Sequence, residues 1–308
     1  MTLFLNILLN NVIPLFLVMA VGFIVRRTRG LDVKTLSNIN FYILSPAVVF
    51  NLLYTTDITM SLFGQVIGFF FIFMLLQYVV CSVFIKIRKL EGGMPAALRN
   101  SVLFANSANY GLPINQLAFS GNPLTLGVQV IILMLQSFIP NTYGIYSVNA
   151  HRAKLKDIWR TIAGQPVIYA IPAALLLRFL EVPLPNSIQT PLNYLYTAFI
   201  GMALLTLGVQ LGAMKWTFAK KGSTNVAISV FLRLIAGPLL AALTVWMMGI
   251  DGLVAKALIV SSAVPTSLSS MILAVQFDNE PEFSSQTVFF STLLSTLTVT
   301  GTIAVLQI

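Results

Sequence analysis

The stretch "FANSANYGLPINQLAFS", residues 104–120, poses the question on which the fold turns. It sets Asn106, Asn109, Asn115, Gly111 and Pro113 inside an apolar run, where a membrane-spanning helix is expected. Hydrocarbon offers no partner for open backbone groups, so a broken, amide-rich span must face protein or a hydrated cavity. The rest of the chain places it in a membrane. Hydrophobic residues make up 57% and charged residues 9%, and the mean hydropathy is +0.89, whereas a soluble domain is about a quarter charged. The pI near 9.8 raises nucleic acid as a partner. The basic residues, however, fall in short clusters between apolar segments, which is a topology pattern and not a phosphate-binding surface. Cys81 is the one cysteine; it has no intrachain partner and is expected to pack as a small apolar residue.

Working outward from residue 104, apolar segments long enough to span fall at about 5–25, 36–54, 61–86, 97–119, 124–149, 162–180, 191–213, 223–248, 253–276 and 284–306. The opening segment has its basic cluster after the apolar run, the reverse of an export signal, so it reads as a retained first span. Four connecting segments, "RRTRGLDVK" (26–34), "KIRKLEGGMPAALR" (86–99), "HRAKLKDIWR" (151–160) and "KWTFAKKG" (215–222), fall on one side under a ten-span count. They hold 15 of the 18 basic residues. The asymmetry predicts a cytoplasmic side for these segments and an outside location for both termini.

The chain also suggests an internal repeat. Pro14 and Pro166 lie 152 residues apart, as do Pro113 and Pro265. Two five-span units must sit inverted relative to each other, the arrangement of secondary transporters with interrupted helices in matching positions. The expected fold is therefore an all-α membrane protein of ten helices in two inverted five-helix repeats, 1–150 and 161–308, joined by a cytoplasmic linker at 151–160. Around Pro265, the sequence "SSAVPTSLSS" (261–270) surrounds a second break with hydroxyls, including Ser262 and Thr266. Free amides, carbonyls and polar side chains at mid-depth suit a small polar solute.

The segments "NSANYGLPINQLAF" and "AVPTSLSSMILAVQFDNEPEFSSQTVFFSTLLS" resemble the two crossover segments of the auxin efflux carrier family. "NINFYILSPAVVFNLL" (38–53), "GMALLTLGVQLGAM" (201–214) and "FLRLIAGPLL" (231–240) are similar to its second, seventh and eighth spans. That resemblance implies a dimerising scaffold, about 1–56 and 161–215, and a transport domain, about 60–150 and 222–308, moving elevator-fashion. It implies broken helices four and nine crossing at Pro113 and Pro265, with organic anions bound beside the crossover. Asn106 matches the asparagine that contacts the substrate carboxylate in plant members, with Asn109 beside it. Gln165 stands where those relatives carry asparagine, a departure that favours a smaller anion than auxin. The substrate-binding set expected is thus Asn106, Asn109, Pro113, Gln165, Ser262, Pro265 and Thr266.

Arg233 is the one basic residue deep in a span. It either attracts the anion or pairs with carbonyls of a neighbouring span, and the second reading is favoured. His151 lies in a basic loop, and no Asp or Glu falls mid-span. No nucleophilic or metal constellation can therefore be assembled, and neither an enzyme nor a bound cofactor is expected. Sodium held by carbonyls and proton coupling both stay open. The expected partners are a small organic anion, the lipid bilayer and a second copy of the chain, with no nucleic acid. The function expected is secondary transport of a carboxylate or dicarboxylate across the cytoplasmic membrane. The alternative is a receptor that binds a carboxylate in the same pocket without transport.

Overall fold

A computed structural model describes residues 9, 13–55, 59–149, 160, 163–164, 166–213 and 223–308. Among them every regular element is helical, and the one extended pairing is a single antiparallel bridge between Ala105 and Thr266. In chain order the helices are α1 (Ile13–Arg29), α2 (Val33–Thr55), α3 (Met60–Ile87), α4 (Met94–Leu103) and α5 (107–118). Next come α6 (Pro123–Val148), α7 (Pro166–Phe179) and α8 (Asn186–Ala213), then α9 (Ser223–Met247). The chain closes with α10 (Gly252–Ser262), α11 (Leu268–Gln276) and α12 (Pro281–Leu306). Six of these, α2, α3, α6, α8, α9 and α12, are long and apolar enough to cross a membrane. The expected spans at 97–119 and 253–276 are each divided in two, as α4 with α5 and α10 with α11. Those at 5–25 and 162–180 begin in residues outside the described set.

Apolar side chains cover both inside and outside. Val48, Leu53, Leu112, Val128, Ile131 and Val260 belong to one continuous buried core. Leu17, Leu75, Trp246 and Val305 point outward and stay exposed, as they must on a surface solvated by lipid. With hydrophobicity on every face, helix contacts are decided by close approach and by polar ties. Helices α1 and α8 meet at Gly22 and Gly208: a Cβ on either would overlap the backbone carbonyl of Leu205 or Met19 opposite. Asn40 Nδ2 donates to Thr206 Oγ1 (2.6 Å) and Gln210 Nε2 to Ser37 Oγ (2.9 Å), tying α2 to α8. Arg178, near the end of α7, donates to the Leu53 carbonyl of α2 (3.2 Å). Asp32 caps α2 by accepting from the Thr35 amide (2.8 Å) and hydroxyl (2.6 Å), and these bonds hold its carboxyl below the usual range.

Prolines act differently from the sequence expectation. Three wide π-helical turns, Asn40–Leu44, Ser107–Gly111 and Leu232–Ala236, each end two residues before a proline: Pro46, Pro113 and Pro238. A proline ring clashes with the carbonyl four residues back and cannot donate to it; widening the preceding turn relieves both problems. Pro113 therefore sits within α5 and does not mark the crossing, which is made by Phe104, Ala105 and Asn106 upstream. The matched spacing of Pro113 and Pro265 is likewise not the structural correspondence. The helix-start residues Gly93 and Asp251, and Asn122 and Glu280, share one offset that the two prolines do not follow. Arg99, expected in a connecting loop, lies on α4, its guanidinium 4.7 Å from the Tyr78 ring centroid.

Candidate functional site

Both divided helices run through an extended link, and the two links bond to each other. Asn106 N–H donates to the Pro265 carbonyl (2.9 Å), and Ser267 N–H to the Phe104 carbonyl (2.8 Å). Each break thus supplies the partners the other lost, which is how irregular backbone survives away from water. Side chains finish the task. Gln136 on α6 accepts from the Ala105 amide (3.2 Å) and donates to the Leu103 carbonyl (3.1 Å). Two turns earlier, Gln129 donates to the Ser107 carbonyl (3.0 Å) and accepts from the Ser261 hydroxyl. Thr266 donates from its hydroxyl to the Ser101 carbonyl (2.8 Å) and from its amide to Ser291 Oγ (3.2 Å).

Beside the crossing lies a cavity of about 70 Å³. One wall comes from α2 and α8 through Ser37, Asn40, Ser45, Phe199, Thr206 and Gln210. The other comes from the first link and the start of α5 (105–109), from Gln136 and Ser137 on α6, and from Ser267 and Ser269 at the start of α11. No charged side chain lines it. Several lining groups are buried without a partner: Asn106 Nδ2, Ser107 Oγ, Asn40 Oδ1 and Gln210 Oε1. Buried polar atoms are normally paired, so unpaired ones on residues that line a cavity call for a ligand or water. The starts of α5 and α11 both open here. Helix N-termini leave amides without intrahelical partners and carry partial positive charge.

Of the residues expected at the site, Asn106 and Asn109 line the cavity. The other described ones do not line it. Pro113 is buried inside α5, and Ser262 donates to the Leu258 carbonyl (2.8 Å). Pro265 and Thr266 hold the crossing from behind. Gln165 lies outside the described residues, as does His151. Asn115 is buried away from the cavity with both amide atoms unpaired, and nothing in the structure explains it. Arg233 is fully buried and donates to three backbone carbonyls next to the links. Sequence reasoning missed Gln129, Gln136, Asn40 and Gln210. A signal was present for the first two: glutamines seven apart in "VQVIILMLQSF" share one face of an otherwise apolar helix.

Comparison with known proteins points to a family of membrane transport proteins. A family model described as membrane transport protein matches residues 147–303. Auxin efflux carrier component 2 of Oryza sativa subsp. japonica is 24% identical over 142 residues, 45% of this chain and 22% of the plant protein. Auxin efflux carrier component 7 of Arabidopsis thaliana is 24% identical over 45% of this chain and 23% of its own length. The match thus spans under a quarter of these two plant carriers. An uncharacterized transporter of Methanothermobacter thermautotrophicus is 22% identical over 86% of both chains. With its several apolar spans and a family model covering half its length, this chain is a multi-pass membrane protein that belongs to the membrane transport family of the auxin efflux carriers.

Proposed function

We propose that the protein is a secondary transporter of a small organic anion, a carboxylate or dicarboxylate. The observation that carries this reading is the uncharged cavity lined by the first residues of two helices and by Asn106, whose amide nitrogen has no partner. In this reading the carboxylate takes the Asn106 Nδ2 donor in the favourable field of the α5 and α11 N-termini. Asn40 and Gln210, on the opposite wall, offer acceptors to a hydroxyl or protonated end of the solute. The small volume favours a compact acid over the auxin named for the plant relatives.

The same reading assigns α1, α2, α7 and α8 to a scaffold and the remaining helices to a moving transport domain. Ten spans then form two inverted five-helix repeats, with both termini outside the cytoplasmic membrane. A cavity whose walls come from both sets of helices is what elevator-type alternating access requires, since movement of one set carries the site past the other. A homodimer through the scaffold would anchor that movement. The test is flux of labelled mono- and dicarboxylates into proteoliposomes. Asn106→Ala removes a hydrogen bond to a charged group, worth about 1.5–3 kcal/mol, and should lower flux roughly 10- to 100-fold with the protein still folded. Normal flux in that variant would overturn the site, and a wild type that moves no carboxylate would overturn the substrate class.

A further inference from the structure

Behind the crossing, on the side away from the cavity, α4 and α10 both end. Arg233 lies against those ends, on the wide turn of α9, with no exposed surface. Its Nε donates to the Val264 carbonyl (2.8 Å), Nη1 to Val102 (2.9 Å) and Nη2 to Ser262 (3.1 Å). Val102 and Ser262 occupy the last turns of α4 and α10, and Val264 lies in the second link. All three acceptors are backbone oxygens. Every described Asp and Glu sits in a loop, at a helix cap or in a first turn, so no mid-depth carboxylate is there to pair with the guanidinium.

A buried arginine among carbonyls is an expensive way to close three hydrogen bonds, since hydroxyls or water would serve without desolvating a charge. The cost is matched by the field at that point. Each helix C-terminus carries roughly half a negative charge, and two of them converge there. Carbonyls at the ends of broken helices are the usual seat of a transported or coupling cation. We propose that Arg233 is a tethered cation that permanently fills such a seat, and that the protein therefore needs neither sodium nor potassium. The seat is independent of what the cavity carries; only the consequence for coupling rests on the carrier reading.

The experiment removes the tethered charge and offers a free one to the full-length protein. In detergent, the thermal unfolding midpoint of the wild type is expected to be the same in choline, sodium and potassium media and with 10 mM guanidinium, a small non-denaturing amount on the order used for occupying a weak site. Arg233→Ala should melt about 5 °C or more below wild type in choline and regain several degrees with guanidinium or sodium. Arg233→Met fills the space without charge; it should melt low in every medium. Arg233→Lys should remain sodium-independent and closer to wild type. A wild type stabilised by sodium or potassium would overturn the proposal, as would an Arg233→Ala protein indifferent to every cation. If Arg233→Ala cannot be recovered from membranes, the other two variants decide: loss in the methionine variant alone supports the proposal, and equal loss in both overturns it. In liposomes, flux independent of sodium in wild type and raised by sodium in Arg233→Ala extends the result to coupling. Unchanged melting behaviour with altered flux, or the reverse, separates failure of the seat from failure of the carrier reading.

Discussion

Gln136 shows how much a single side chain does in this protein. Its amide oxygen and nitrogen close the Ala105 N–H and the Leu103 carbonyl, two groups freed by the first break. Leucine at 136 would keep the volume and leave both bare. Each buried group left unpaired costs about 1–3 kcal/mol, so Gln136→Leu should lower the thermal midpoint measurably in detergent. An unchanged midpoint would mean that water replaces the amide. Gln129 plays the corresponding part at Ser107 and Ser261. Neither residue could be assigned this work from the chain alone, because the partners are groups distant in sequence that meet the glutamines only once the chain has folded. Asn106 was legible, since an amide in an apolar run demands a partner; its neighbours Asn40 and Gln210 across the cavity were not.

At the level of elements, two kinds of proline bear on the crossing. Pro46, Pro113 and Pro238 follow wide helical turns and leave their helices continuous, while Pro265 lies in an extended link. The resemblance to the auxin efflux carriers implies a crossing at Pro113 as well as at Pro265. The outcome differs because a wide turn tolerates the missing donor, whereas the first link forms with no proline at all. The turns also carry Asn40 and Ser107–Asn109 at the cavity and Arg233 at the helix ends. Replacement separates the two kinds. Pro265→Ala restores an amide that lets helix compete with the extended link, and flux should fall at least about 10-fold, the scale of a helix-interior proline effect of ~3 kcal/mol diluted by the retained cross-link bonds. Pro113→Ala should keep flux within about 3-fold, because α5 is helical through that position already. Equal losses in both would return Pro113 to the crossing.

At the scale of the whole molecule, a hydrogen bond outside the cavity joins the proposed moving and stationary parts: Gln116 Nε2 of α5 donates to Tyr196 Oη of α8 (2.6 Å). If α5 travels past α8, this bond must break in each cycle. Tyr196→Phe removes it at a cost of about 0.5–1.5 kcal/mol to the bound arrangement, so turnover should rise roughly 2- to 10-fold where that step limits flux, with little change in melting temperature. A strongly lowered melting temperature and slower flux would instead make the bond part of one static body. What the sequence determined by itself was membrane residence, the alternation of apolar segments with basic clusters, and that the spans at 97–119 and 253–276 are interrupted. Those follow from composition and local chemistry, since lipid imposes the same rule on every residue it touches. Only the tertiary structure decided how the two breaks satisfy each other, which amides face the cavity, and that Arg233 lies against two helix ends. Such facts depend on which carbonyl of one segment meets which donor of another, and no local rule contains that pairing.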